Sequence, residues 1–226
     1  MRIGILQAGH FPDELVPESG TYSDLYARML DGHGFDFMTW SVVDDVFPDS
    51  PEEADGWLIS GSRYGAYEDL PWIPKLEEFV RDVKDSGQPL VGICFGHQVI
   101  AKALGGTVEK FDGGWSVGQQ VYDFEGEDVV LNAWHQDQVT RRPPEARLVG
   151  SSEFCENAAL LYGDSIYTIQ PHPEFSSREI EGLIRTRGKN LSDEIKQGAA
   201  STLTQPDSNA AFGHRIAQFF LNSRKE

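Results

Sequence analysis

The stretch from Gln88 to Gly106 constrains the fold more than any other part of the chain. Pro89 opens a short apolar run, Leu90-Val91-Gly92-Ile93, which reads as a buried strand. Val99, Ile100, Ala103 and Leu104 then form the stripe of an amphipathic helix that stops at Gly105-Gly106. Between strand and helix lies Gly92-Ile93-Cys94-Phe95-Gly96, of the form G-x-C-x-G. This is the cysteine version of a nucleophile elbow, a sharp strand-to-helix turn whose crowded backbone needs small flanking residues. A thiol there projects from the turn beside a helix N-terminus, whose partial positive charge favours thiolate. The competing reading is a buried, inert cysteine acting as a small hydrophobe. The flanking glycines and the strand-turn-helix setting favour the nucleophile.

The rest of the chain supplies a frame for this unit. Strands are predicted at Ile3–Ala8, Phe35–Val43 and Gly56–Ser62, and helices over Tyr22–His33 and Lys75–Lys84. That alternation predicts an α/β domain with a mostly parallel open sheet and helices on both faces. From Thr107 to Gly163 the pattern turns to short strands without a convincing helix: a small antiparallel β excursion. Candidates are Val117–Tyr122, Val129–Leu131, Arg147–Ser151 and Ala158–Tyr162. Ser165–Gln170 is a further strand, Ser176 opens a helix bearing Ile180, Leu183 and Ile184, and a last helix runs over Asn209–Asn222. The polar stretch from Gly188 to Asn209 reads either as a lid-like excursion or as a loosely packed helix. No repeat or linker divides the chain, so residues 1–226 read as a single domain with a C-terminal helical extension over about 176–226.

Composition narrows the function classes. Nineteen basic against 36 acidic side chains leave a formal charge of −17, a field that repels phosphate backbones and anionic lipid. Nucleic-acid and membrane-surface roles are therefore disfavoured, although the same charge serves plain solubility. Cys94 and Cys155 have no metal-ligand spacing and suggest a reducing compartment. The opening residues run too quickly into a turn to form a signal peptide, and no stretch is long enough to cross a membrane. A cytoplasmic protein is expected.

A thiol nucleophile needs a base, and the base needs an orienting group. Of six histidines, His172 stands out because Glu174 lies two residues on, at the expected extended end of a strand, where alternate side chains share a face. Pro173 restricts His172 to extended geometry. Cys94 and His172 both fall at the carboxyl ends of strands, where sites gather in open parallel sheets. A surface histidine beside a solvated acid is the alternative. For the oxyanion of acyl transfer, the Phe95 amide is the expected first donor. Ser60-Gly61-Ser62, at the preceding strand end, brings a second amide close through Gly61 or Ser62, although alone it is an ordinary βα turn.

These residues resemble a known family. Gly92-Ile93-Cys94-Phe95-Gly96-His97-Gln98 together with His172-Pro173-Glu174 is similar to the class I, triad-type glutamine amidotransferases, and Ser60-Gly61-Ser62 falls at the family's oxyanion strand. Trp134-His135-Gln136-Asp137-Gln138-Val139 resembles a segment of the amidotransferase domain of GMP synthase. Tyr67–Trp72 and the tail from Gly188 to Phe220 look like the stand-alone, GMP-synthase-like branch that includes γ-glutamyl peptidases. The resemblance implies a flavodoxin-like fold and hydrolysis of a γ-glutamyl amide through a thioester. It makes Cys94 the nucleophile, His172 the base and then acid, and Glu174 its orienter, with an oxyanion hole at Gly61, Ser62 and Phe95. Gln98, His135, Gln136 and Asp137 would line the glutamyl pocket; His135 reads equally as a structural histidine, and Asp137 as a turn brace. No metal or organic cofactor is implied. Glutamine hydrolysis to glutamate and ammonia is the leading reading and γ-glutamyl peptide hydrolysis or transfer the alternative, which a wider pocket mouth would favour. No synthetase segment is present, so ammonia would go to a separate synthetase or acceptor subunit, or to solvent. A non-catalytic binding subunit is the competing class. Pro171 removes one ladder donor just before His172.

Overall fold

The computed structural model describes residues 1–223. β1 (Arg2–Leu6), α1 (Val16–Ser19), α2 (Tyr22–Met29), β2 (Asp36–Trp40), β3 (Gly56–Ile59) and α3 (Trp72–Ser86) precede the elbow unit, β4 (Leu90–Ile93) with α4 (Phe95–Ala103). Next come β5 (Thr107–Lys110), β6 (Ser116–Phe124), β7 (Glu127–His135), β8 (Asp137–Arg141), β9 (Ala146–Gly150), β10 (Ala159–Tyr162) and β11 (Ile166–Ile169). The chain closes with α5 (Ser177–Arg187), α6 (Asp193–Thr202) and α7 (Asn209–Asn222).

Seven strands form the main sheet in the order β2-β1-β3-β4-β11-β10-β9. The first five run parallel, and β10 and β9 add antiparallel at one edge. The apolar strand residues serve both faces by strict alternation, as a sheet covered on both sides requires. Ile3, Ile5, Leu58, Val91 and Ile93 pack with Leu25 and Tyr26 of α2, Ile180 of α5, and Phe212, Ile216 and Phe220 of α7. Trp57, Ile59 and Leu90 pack with Leu76, Val80 and Val83 of α3 and Val99 and Ile100 of α4. Each such fully buried Leu or Ile contributes about 1.5–3 kcal/mol of transfer free energy.

The antiparallel excursion divides into parts. β6 and β7 form a long hairpin, β5 pairs with β8, and β9 and β10 rejoin the main sheet. β5 and β8 are too short and polar to show an apolar period, so they escape sequence reading. α3 begins three residues before the predicted start, at Trp72, because Trp72 and Ile73 already belong to its buried face. Of the two readings of residues 188–209, the packed helix is the observed one. Leu191, Ala199 and Leu203 are buried, and Ala199 lies against Gly118 of β6, where an added Cβ would meet its Cα at 2.9 Å. Gln119 Nε2 donates to the Gln205 carbonyl at 2.9 Å, and the Ser208 amide to Val130 at 2.8 Å. This segment therefore braces the hairpin.

Candidate active site

The elbow is built as its glycines require. Cys94 sits at φ 53°, ψ −104°, a strained conformation for a residue with a side chain. Its amide donates to Ile169 of β11 at 2.8 Å, which fixes the turn to the next strand. A Cβ on Gly92 would come within 2.6 Å of the Gly96 backbone, and one on Gly96 within 2.3 Å of the Ile59 carbonyl oxygen. The two glycines thus let α4 start directly against β3 and β4. Cys94 lies just before the first turn of α4, whose leading backbone N–H groups have no intrahelical acceptor. Cys94 and Cys155 are both free thiols. Burial pushes the Cys155 thiol up to about 12, so it stays protonated.

His172 and Glu174 meet as expected, by a different local route. Nδ1 of His172 lies 2.7 Å from Oε1 of Glu174, with both side chains buried. The segment is a tight turn instead of an extended strand end: the Phe175 amide donates to the His172 carbonyl at 3.2 Å, with Pro173 and Glu174 at the corner. Proline at the first corner position pre-sets that turn, which swings Glu174 back onto the ring. Pro171 sits where the chain leaves the sheet. Gln170 donates to Ala158 at 2.7 Å and His172 to Asn132 of β7 at 2.8 Å, so the proline occupies the one position between them that needs no donor. Phe175 stacks on the imidazole at 4.2 Å between centroids with a 7° tilt, and Asn132 Nδ2 anchors the Phe175 carbonyl at 2.8 Å.

Two opposing influences act on His172. Burial, the largest, disfavours its charged form; the Glu174 charge, then Cys94, and hydrogen bonds to both outweigh it together. The result is an imidazole held up to about 10 against its ordinary 6.5. With Nδ1 committed to Glu174, the buried Nε2 has no other partner and faces Cys94.

The third strand end, Ser60-Gly61-Ser62, lies against the same site. Ser60 Oγ accepts from the Ala8 amide and donates to the Gly61 carbonyl, both at 2.8 Å, tying the turn to β1. The Gly61 amide donates to the Tyr26 hydroxyl at 3.1 Å, so it is not free for an oxyanion. What Gly61 brings is space: a Cβ there would sit 3.1 Å from His172 Cε1 and 3.3 Å from the Tyr22 hydroxyl. Ser62 borders the cavity, and the Phe95 amide is the first N–H of α4, without an intrahelical acceptor.

Cys94 opens onto a cavity of about 330 Å3, bordered also by Ser62, Gln98, His135, Gln136 and Asp137. Gln98 Nε2 donates to the Asp137 carbonyl at 2.9 Å and to Gln170 Oε1 at 3.0 Å. Gln136 Nε2 donates to Phe111 at 3.1 Å. Burial, reinforced by nearby His172, pushes His135 down to about 3. It is neutral, with Nδ1 3.3 Å from the Asp137 carbonyl and a buried, unpartnered Nε2. Asp137 is raised by burial, and its Oδ1 accepts from the Tyr67 hydroxyl at 3.2 Å. The next motif histidine, His97, lies outside the cavity. Its Nδ1 is 2.8 Å from Thr168 Oγ1, and burial pushes it down to about 3.

Sequence reading missed several neighbours of the site: Tyr22 and Tyr26 of α2, Phe175, Asn132, the Trp115 that packs on Trp134, and Arg63 and Arg187 at the mouth. Only Tyr22 and Tyr26 carried a signal, a polar-tipped aromatic pair on the apolar face of a helix. No residue of 188–209 borders the cavity.

The family model for glutamine amidotransferase class-I matches residues 25–187. A glutamine amidotransferase-like protein of Schizosaccharomyces pombe is 31% identical over 243 residues, covering 97% of this chain and 98% of that protein. Gamma-glutamyl peptidase 4 of Arabidopsis thaliana is 29% identical over 220 residues, covering 89% of this chain and 88% of that protein. The crystal structure of a glutamine amidotransferase from Methylobacillus flagellatus superposes with a TM-score of 0.79 at 20% identity, covering 100% of this chain and 95% of that one, and shares the fold.

Proposed function

The chain belongs to the class I glutamine amidotransferase family, and from that premise we propose that it hydrolyses γ-glutamyl amides through a thioester on Cys94. Sγ attacks the γ-carbonyl carbon while the oxyanion takes hydrogen bonds from the Phe95 and Ser62 amides. The C–N bond breaks as His172 Nε2 passes its proton to the departing nitrogen. Neutral His172 then draws a proton from water, whose oxygen bonds to the same carbon as the C–S bond breaks. Glutamate leaves, and the thiolate and imidazolium are restored. Glu174 holds the imidazole in the tautomer and orientation this exchange needs. Gln98, His135, Gln136 and Asp137 hold the glutamyl moiety, with the Asp137 carboxylate suited to its ammonium group. The observation that carries the reading is the buried His172–Glu174 pair aimed at a strained Cys94 that opens onto a cavity.

A γ-glutamyl peptide is the second substrate reading, favoured by the mouth of the cavity. Arg63, Tyr64 and Arg187 at its border also line a neighbouring hollow of about 300 Å3, more room than ammonia needs on leaving. Intact-mass measurement after brief incubation with glutamine, and separately with a γ-glutamyl dipeptide, tests both, alongside ammonia and amine release. A glutamyl adduct that disappears in Cys94→Ala supports the mechanism; parental turnover by that variant refutes it. Ammonia from glutamine marks a glutaminase, and amine release from the dipeptide alone marks a peptidase. Silence with both, reversed by a cell extract, marks dependence on a separate synthetase or acceptor subunit.

We read the described chain as one domain, because the C-terminal helices share a core with α2 and the sheet. A cytoplasmic setting fits two free thiols; among the described residues no helix is long and apolar enough to cross a membrane.

A further inference from the structure

We propose that Tyr26 is a positioning residue that couples the oxyanion turn to the triad carboxylate through its hydroxyl. The proposal rests on the Cys94–His172–Glu174 reading above. Tyr26 lies in the middle of α2, fully buried, with its ring in the core. Its oxygen accepts from the Gly61 amide at 3.1 Å, and its O–H donates to Glu174 Oε1, also at 3.1 Å. Oε1 is the same atom that receives His172 Nδ1 at 2.7 Å. A continuous relay therefore runs from Gly61 N–H through the tyrosine hydroxyl to the carboxylate and on to the imidazole. Bonds in such a chain polarise one another, so each is strengthened by the next.

The relay has two consequences. Geometrically, it joins β3's carboxyl end, with the neighbouring Ser62 amide, to the turn that carries His172, although the two are far apart in sequence. Electrostatically, a hydroxyl pointed at Glu174 delocalises part of the carboxylate's charge and moderates its pull on the imidazolium. A plain core role would call for phenylalanine, since a buried hydroxyl must be satisfied. Satisfaction here comes from two partners that both belong to the site.

His172 is the group whose titration reports the relay. The ionisable groups around it are Glu174 on its own turn, Cys94 at the elbow, His135 on β7, and Tyr22 and Tyr26 on α2. His135 stays neutral across the working range because burial pushes it down to about 3. Both tyrosines are held well above 10, chiefly by burial, so neither ionises there. Removing the Tyr26 hydroxyl leaves Glu174 with more concentrated charge, which stabilises the imidazolium. Loss of the relay moves the alkaline limb of the activity profile upward and slows turnover together, because a tighter imidazolium is a poorer proton donor.

The test is Tyr26→Phe, which keeps the ring and its packing. Expected are a roughly tenfold fall in kcat, KM within about twofold of the parent and an alkaline limb shifted to higher pH. The pH dependence of Cys94 alkylation by iodoacetamide, read by peptide mapping, gives the same shift without substrate. A parental kcat, or a reduced kcat with an unmoved alkaline limb in both measurements, overturns the role of Tyr26. Failure of the parent protein to alkylate at Cys94 ahead of Cys155 would instead overturn the triad reading, so the two failures are distinguishable.

Discussion

Replacing Gly96 by alanine puts the elbow under its sharpest strain. The added methyl would lie 2.3 Å from the Ile59 carbonyl oxygen and 3.0 Å from the Ile59 carbonyl carbon and Cβ. An ordinary carbon–oxygen approach is about 3.3 Å or more, so α4 must retreat from β3 by roughly 1 Å. The strand cannot yield instead, because β3 is paired on both sides, with β1 and β4. The helix is equally committed, with every residue from Phe95 to Ala101 buried. Overpacking against backbone belongs at the top of the usual range, about 3 kcal/mol of lost stability. Because Gly96 follows Phe95 directly, the same retreat carries the Phe95 amide and the Cys94 sulfur out of line, and a misplacement of about 1 Å costs on the order of 100-fold in kcat/KM. Urea unfolding and ammonia release from glutamine, or amine release from a γ-glutamyl dipeptide, read the two effects. Gly105→Ala is the control: its φ is +94° with nothing within 4 Å of a new Cβ, so only left-handed strain, about 1–2 kcal/mol, is expected and no change in rate. If Gly96→Ala is as stable and as active as the parent, or milder than Gly105→Ala, the close-approach reasoning is wrong.

Two further outcomes follow from the strain and the buried histidines. Cys94 holds a backbone conformation costing about 1–3 kcal/mol that glycine adopts freely, so Cys94→Gly should be inactive yet more stable than Cys94→Ala by about 1 kcal/mol; equal urea midpoints would remove the claim of strain. His97 and His135 are both pushed down to about 3 in the fold, so the unfolded chain gains protons there first. Stability should fall as pH drops from 6.5 toward 3, by up to about 1.4 kcal/mol per pH unit for each histidine. His172 runs the opposite way, its contribution complete below 6.5 and lost as pH rises through about 10. His97→Gln should flatten the acid slope by one proton in denaturant titrations at pH 7, 5 and 4, and an unchanged slope would show that His97 is not held neutral.

The parts of this protein legible in its sequence are those governed by local rules. Gly92 and Gly96 around Cys94 announce a strained strand-to-helix turn, because only glycine permits that approach. Alternating apolar strands with helices of matching period specify a parallel sheet buried on both faces, and the order observed is the one such alternation builds. His172 and Glu174 were identifiable from their spacing, although the tight turn that joins them obeys a different geometry from an extended strand. Asn209–Asn222 shows its buried face by period alone.

Tertiary structure decided what depends on partners distant in the chain. Whether the polar stretch after α5 lay over the site or on the hairpin turned on Gly118, whose bare α-carbon admits Ala199. The Gly61 amide is engaged by the Tyr26 hydroxyl, 35 residues away, and the same hydroxyl reaches Glu174, 148 residues away. The protonation of His97, His135 and His172 diverges for the same reason: one residue type, with one intrinsic affinity for protons, is buried without a carboxylate partner at two positions and beside a carboxylate at the third. Local propensity is written residue by residue, whereas desolvation and hydrogen-bond partnership exist only once the sheet has gathered its strand ends in one place.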